Sequence, residues 1–185
     1  MKKYLFTTAI VIASLATSLA YGSGSGSLEI KKWFKEKSLD VAPVNNQLYK
    51  SECGSCHFAY QPGLLPSRSW KKLMGGLEDH FGDNAELLPE DYTAILNYLT
   101  SNAAEFSDYK RSRRINKSLA QDETPLRITE TKYFKRKHHE LPLSRITNNP
   151  EVGSLSNCQA CHTQAEKGSF DEHDVKIPGM SGRWE

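Results

Sequence analysis

Two stretches of this chain have the residue types and spacing of a covalent cofactor anchor: Cys53-Gly54-Ser55-Cys56-His57 and Cys158-Gln159-Ala160-Cys161-His162. They hold all four cysteines and two of the six histidines. Cys-x-x-Cys-His is the attachment signature of c-type haem. Cysteines three positions apart lie about one helical turn apart, so both sulfurs reach the two vinyl-derived carbons along one haem edge. The next residue presents an imidazole to the iron from the same side. The sequence therefore predicts two covalently attached c-type haems. Cys53, Cys56, Cys158 and Cys161 are the thioether anchors, and His57 and His162 the proximal ligands.

Competing uses of the same residues fit less well. Zinc ribbons place their paired Cys-x-x-Cys motifs about 15–20 residues apart, whereas 101 positions separate Cys56 from Cys158. A thioredoxin-like motif explains one pair and needs a βαβ context that the pattern lacks. A Cys-x-x-Cys disulfide closes too small a loop to stabilise much. None of the three requires histidine after both pairs.

The chemistry then turns on what occupies the opposite axial position, since Met and His suit electron carriers and an empty position admits oxygen or peroxide. For the first haem the candidate is His80, ten residues after Trp70 and on the same helical face as Trp70, Leu73 and Leu77, with Met74 as competitor. For the second, the adjacent pair His138-His139 precedes the motif. Neighbouring helical positions point about 100° apart, so one of the two faces inward; His138, four residues after Phe134, ranks ahead of His139. Met180 and His173 follow the motif and rank behind both.

The elements that must position these residues are helical. Asn45 or Asn46 caps a helix carrying Leu48, Tyr49, Cys53, Cys56 and His57. A turn-rich loop, Gln61 to Pro66, leads to a helix over Ser69 to Phe81 that Gly82 terminates, and Pro89 opens another running to Ala104. That is the plan of a small cytochrome c domain. Ser107 to Thr124 reads as an exposed connection with room for short helix. A helix from Thr129 to Glu140 carries Tyr133, Phe134 and Lys137. Asn149-Pro150 opens a last helix through Val152 and Leu155 into the second motif, ending near Gly168, and 169–185 read as an extended tail. The expected class is mainly α, with no strand pattern: a cytochrome c-like helical domain over 39–109 and a less regular α-helical haem-binding domain over 110–185.

Lys2 and Lys3, the apolar stretch Leu5 to Ala20 and the Ser18-Leu19-Ala20 ending read as a secretory signal peptide over 1–20. The stretch is short and diluted by hydroxyl residues, where a membrane span needs about 20 predominantly apolar ones. Residues 21–38 form a flexible linker that includes the Gly/Ser run from Gly22 to Ser27. Export to the periplasm follows, with no stable membrane insertion after cleavage. The remaining chain is polar, with 38% hydrophobic residues and a mean hydropathy of −0.59, so two buried porphyrins must supply much of its core and the apo-protein is expected to fold poorly. Charge is segregated: residues 110–145 hold eleven Lys/Arg against four Asp/Glu, while the rest of the mature chain holds eleven against eighteen. A basic patch of this kind steers an acidic partner or neutralises haem propionates. Nucleic acid is not an expected partner, since no such motif occurs.

The block from Glu52 to Pro66, with Arg68-Ser69-Trp70 and His80-Phe81-Gly82, resembles the exported dihaem cytochrome c family associated with the sphaeroides haem protein. The likeness continues at Arg127 to Thr131, at His138 and through Asn157 to His162, so that it spans roughly residues 40–180. It implies two low-spin haems each held by two histidines, His57 with His80 and His162 with His138. It implies redox partner proteins, among them a sphaeroides-type monohaem cytochrome and a membrane-bound cytochrome donor. The expected function is electron transfer at low potential, without a catalytic residue. The alternative is a dihaem peroxidase or ligand-binding haem protein with one open iron site. In this reading Pro62 or Pro66 offers a carbonyl to His57, and Arg68, Trp70 and Lys71 reach propionates.

Overall fold

The computed structural model describes residues 39–180; the signal peptide and linker expected over 1–38, and residues 181–185, lie outside the described residues. The architecture is mainly α. Seven α-helices occur among the described residues: α1 (Gln47–Cys53), α2 (Ser67–Met74), α3 (Pro89–Ser101), α4 (Lys110–Ser118), α5 (Lys132–Lys137), α6 (Leu143–Thr147) and α7 (Cys158–Cys161), with short 3-10 turns between them. There is no strand among the described residues, only the isolated bridges His80–Asp83 and His162–Val175.

Local chemistry sets most helix starts. Asn46 caps α1, its side chain accepting from the Tyr49 N–H at 2.9 Å, and Thr131 caps α5 by accepting from Phe134 at 3.2 Å; each such cap stabilises by about 1 kcal/mol. Pro89 occupies the first turn of α3, where it has no N–H to leave unpaired. At α2 the capping group comes from a distance, because the Glu105 carboxylate accepts from the Ser67 N–H at 3.0 Å.

The helix expected over Ser69 to Phe81 starts two residues earlier and stops seven residues short. α2 ends at Met74, because Gly75 and Gly76 have the lowest helix propensity after proline; the chain resumes as a 3-10 turn at Leu77–Asp79. The helix expected from Asn149 to Gly168 is also absent. Gly153 takes a left-handed φ of 68°, while Ser154 and Asn157 side chains bond nearby backbone, at 3.1 Å to Ser156 N and 3.3 Å to Val152 O. Such side chains compete with helical hydrogen bonds, and only the four residues of α7 remain helical. α6 was not expected. The tail is not loose up to residue 180: Phe170 is 9% and Ile177 5% exposed.

Two apolar cores result. The first joins Tyr49, Leu65, Trp70, Met74, Ile95 and Leu99, with α2 packed along α3. The second gathers Val41, Phe58, Leu64, Ile115, Tyr133, Ala165 and Phe170, drawing chain from both sides of residue 110. Segment 107–124, expected as an exposed connection, contains α4, whose Ser112 and Ile115 are 0% and 2% exposed. Fully burying a side chain such as Ile115 stabilises by about 1.5–3 kcal/mol. Arg111 ties the second core together: it pairs with Asp40 at 3.1 Å, donates to Phe170 O at 3.0 Å and to the Tyr133 hydroxyl at 3.2 Å.

Gly168 closes this core. Its carbonyl accepts from Asp40 N and Val41 N at 2.9 and 3.1 Å, its φ is 81°, and an added Cβ would lie 2.3 Å from Val41 O. Gly168→Ala is therefore expected to lose about 1–3 kcal/mol from backbone strain and more from the clash. Gly153→Ala, with a similar φ and nothing within 4 Å of the added carbon, should lose only the strain. Denaturant midpoints of the two holoproteins compare them; equal losses would contradict the clash.

Candidate functional site: two cavities faced by paired histidines

At the first site α1 carries Cys53, and the turn after it carries Cys56 and His57. His57 Nδ1 lies 2.8 Å from Phe58 O. A carbonyl only accepts, so Nδ1 carries the proton and Nε2 keeps its lone pair for a metal. Neither expected proline carbonyl takes this role: Pro62 O accepts the Trp70 indole at 2.8 Å, and Pro66 O accepts Ser69 and Trp70 N–H groups.

His80 faces His57 from a tight loop rather than from a helix. Its N–H donates to Asp83 O at 2.7 Å, and Asp79 Oδ1 accepts from Gly82 N at 3.0 Å. Phe81, next in the chain, holds a φ of 61° that a bulky residue seldom adopts. The Arg127 guanidinium stacks over its ring at 3.7 Å from the centroid. The His57 and His80 ring centres are 6.2 Å apart with planes 25° from parallel.

At the second site α7 carries both cysteines. His162 follows, its backbone fixed by a 2.8 Å bond to Cys158 O and by Lys176 N donating to Cys161 O at 2.9 Å. His138 caps the C-terminus of α5, with Nδ1 3.0 Å from Phe134 O and its ring stacked 3.9 Å from the Phe134 ring. The His138 and His162 centres are 6.1 Å apart, with planes 80° apart.

Of the competitors, Met74 lines the first cavity but is packed in the core at 4% exposure. His139 points outward, near Glu140 at 3.6 Å with its side chain 68% exposed. His173 pairs with Asp171 at 2.7 Å and is 73% exposed. Neither of those, nor Met180, lines either cavity. Arg68 is turned away, donating to Glu123 O at 2.7 Å and Ala120 O at 3.0 Å. Lys71 also lines no cavity, and Trp70 lines the first with its indole N–H already taken.

The cavities differ in size. The first holds about 780 Å³, within the range of about 300–1,000 Å³ usual for cofactor sites. The second holds about 200 Å³. Ile128, Ser154, Asn157 and Cys158 line both, which makes the two sites neighbours across a single wall. Tyr60 braces that wall. Its ring lies 5.1 Å from His57, and its hydroxyl donates to Ser156 O at 2.8 Å. Burial, then the nearby Cys158, pushes its pKa up to about 12. No spacing pattern in the sequence marks Tyr60 or Arg111 as part of either site.

The donor set suits haem. A nitrogen–metal bond of about 2.0–2.1 Å, with the ring centre roughly 1.2 Å beyond the nitrogen, puts two trans imidazole centres about 6.4 Å apart, close to both observed separations. Ligation requires neutral imidazole. Burial drives the His162 pKa down to about 4 and lowers that of His138; burial, then His57, lowers that of His80. His162 Nδ1 is buried without a hydrogen-bond partner among the described residues, which leaves its tautomer to be set by whatever binds Nε2. Burial, followed by Glu52, raises the Cys53 thiol to about 11, and burial raises Cys158 to about 11. No group of three His, Cys, Asp or Glu among the described residues is arranged to hold a metal ion.

Comparison with known proteins agrees. The profile of the family described as Dihaem cytochrome c matches residues 49–170. Among solved structures, the chain is similar to a diheme cytochrome c from Rhodobacter sphaeroides, 44% identical over 70% of this chain and 100% of that one, with a TM-score of 0.63. It is also similar to a diheme cytochrome type c from Shewanella baltica OS155, 44% identical over 77% of this chain and 99% of that one, TM-score 0.61. No curated protein matches. Paired histidines across two adjoining cavities, each beside a Cys-x-x-Cys-His, and a family match over most of the chain lead to one conclusion: this protein belongs to the dihaem cytochrome c family and carries two c-type haems.

Proposed function

We propose that the chain is a periplasmic electron carrier whose two haems are low-spin, low-potential and each ligated by two histidines. His57 and His80 hold the first haem, and His162 and His138 the second; Cys53 with Cys56 and Cys158 with Cys161 provide the thioether anchors. One observation carries this reading. In each cavity a second imidazole faces the motif histidine at the separation that a single iron spans, 6.2 Å in the first and 6.1 Å in the second.

When bound, each haem supplies one-electron iron chemistry. The residues decide what that chemistry is used for. Held by two histidines, each iron would be closed to oxygen and peroxide, and a ligand set without methionine would favour low potential. Phe58 O and Phe134 O fix the protonated Nδ1 of His57 and His138, which orients each ring and raises its basicity toward metal. The shared wall keeps the two sites close enough for internal electron exchange. Haem-based electron transfer is the family's chemistry; the peroxidase alternative would need an open iron, which two histidine pairs would not leave. Export rests on the signal peptide expected at 1–20, and no helix among the described residues is long and apolar enough to cross a membrane. The partners under this reading are redox proteins, a sphaeroides-type monohaem cytochrome and a membrane-bound cytochrome donor among them.

Electron paramagnetic resonance of the oxidised protein tests the ligation directly. Two low-spin ferric signals are expected, and they should differ. Near-parallel imidazole planes, 25° apart at the first site, give an ordinary rhombic spectrum, whereas planes 80° apart give a strongly anisotropic one. A high-spin signal from intact protein would refute the proposal. His80→Ala should convert one haem to a high-spin form that binds carbon monoxide, and His138→Ala the other. His139→Ala should leave both spectra unchanged; if it opens the second haem instead, His139 is the ligand.

A further inference from the structure

We propose that the outward face of α4, formed by Lys110, Arg113, Arg114 and Lys117, is the docking surface for an acidic redox protein that exchanges electrons at the second site. This rests on the electron-carrier reading above and adds to it where the exchange takes place.

The four residues recur at spacings of three, four and seven, so they form one stripe on the helix. All four are exposed, while Ser112 and Ile115 on the other side are 0% and 2% exposed. The stripe opposes the helix's own stability. Like charges three and four apart repel by about 0.2–0.5 kcal/mol per pair. Cations at Lys110 and Arg111 also sit at the positive end of the helix dipole, with no acidic residue in the first turn and no side-chain cap. None of the four makes an ion pair with a described residue, whereas other cations nearby do: Lys132 with Glu123 at 3.8 Å and Lys137 with Glu172 at 3.6 Å. A surface that served only for solubility would mix its signs.

The stripe lies against the second site rather than the first. Arg111 and Ile115, on the inward side of α4, line the second cavity. The stripe is therefore about one helix width, roughly 10 Å, outside that cavity. The wall of the first cavity carries Glu52, Asp83 and Glu86 against Arg127, and that of the second balances Glu140 and Glu172 with Arg111 and Lys137, so the first is the more acidic of the two and the less suited to an acidic partner. A helix that binds membranes sets exposed apolar side chains along its own length beside its cations; α4 has one apolar residue, Ile115, which is buried, Leu119 just past its end is half-buried, and the exposed Phe106 precedes the helix. An acidic protein surface fits and a lipid surface does not.

Two oxidants of opposite charge test this on the reduced holoprotein. Each accepts one electron, hexacyanoferrate(III) becoming hexacyanoferrate(II) and hexaammineruthenium(III) becoming hexaammineruthenium(II). At low ionic strength the quadruple variant Lys110→Gln, Arg113→Gln, Arg114→Gln, Lys117→Gln should slow oxidation by hexacyanoferrate about tenfold or more, from the range of steering effects, and flatten its salt dependence. It should not slow oxidation by hexaammineruthenium. A control of equal charge change at exposed positions elsewhere, Lys50→Gln, Lys71→Gln, Lys72→Gln, Lys167→Gln, should leave both rates nearly unchanged. Polyglutamate should compete with hexacyanoferrate on the parent protein and not on the quadruple α4 variant. Equal slowing by both sets of substitutions, or none by either, would overturn the proposal. So would stripe-dependent binding to anionic phospholipid vesicles without polyglutamate competition, or stripe-dependent dimerisation in sedimentation, which would make a second copy the occupant. The spectra of the same samples read the ligation separately: high-spin iron with the stripe effect intact would defeat the ligand assignment and leave the docking surface standing.

Discussion

Two gaps between facing imidazoles, 6.2 Å and 6.1 Å from centre to centre, set the terms for the rest of this fold. A gap of that width is held open only if the two rings come from elements that cannot approach further. At the first site the turn after α1 and the 77–83 loop are such elements, each closed by its own backbone hydrogen bonds. At the second, the α5 terminus faces the short α7. Both isolated bridges in the described chain fall at a cavity-facing histidine, His80 and His162, in places where regular structure gives no rigidity. Irregular backbone is costly unless its polar groups are paired, and here the pairing is local to each histidine.

The two cores follow from the same constraint. A chain this polar buries few large side chains, and those it buries lie along the walls of the cavities: Trp70 and Met74 at the first, Ile115 and Tyr133 at the second. Tyr60 packs against both cores and bonds across to Ser156, so the sites cannot shift independently. Asp40, Arg111 and Gly168 close the second core around chain from before α1, from α4 and from after α7. Removing either macrocycle would therefore withdraw apolar contact from elements on both sides of the shared wall.

The sequence made the anchors and the facing histidines legible because their chemistry is written in local spacing. His80 was found through a helical face shared with Trp70, yet it does not sit on that helix. α2 stops at Gly75, and the loop that follows brings His80 back to the same side. The choice of His138 over His139 followed from its distance to Phe134, and the structure shows those two rings stacked. What periodicity could not show were contacts between distant segments. α4 read as an exposed connection because five of its nine residues are cationic; its single apolar residue, Ile115, carries its packing. The long helix expected before the second motif failed at Gly153 and at serine and asparagine side chains that satisfy the backbone in other ways. The Arg111 network and the Tyr60 brace join residues 22 to 130 positions apart, beyond the reach of any local pattern.

Two copies of one Cys-x-x-Cys-His pattern thus create unlike sites. The motif determines which residues bind, but the angle between the imidazole planes, the room between the walls and the nearby charge come from what packs around it. The first cavity is larger, with near-parallel rings and acidic groups in its wall. The second is smaller, with crossed rings, a half-buried Arg111 in its wall and the cationic α4 behind it. A carrier with two equivalent haems has no preferred direction for an electron. These differences all lie in the residues: a cationic helix stands behind the smaller cavity, whose wall balances Arg111 and Lys137 against Glu140 and Glu172, while the larger cavity sets Glu52, Asp83 and Glu86 against Arg127. The two sites meet at one wall, formed by Ile128, Ser154, Asn157 and Cys158.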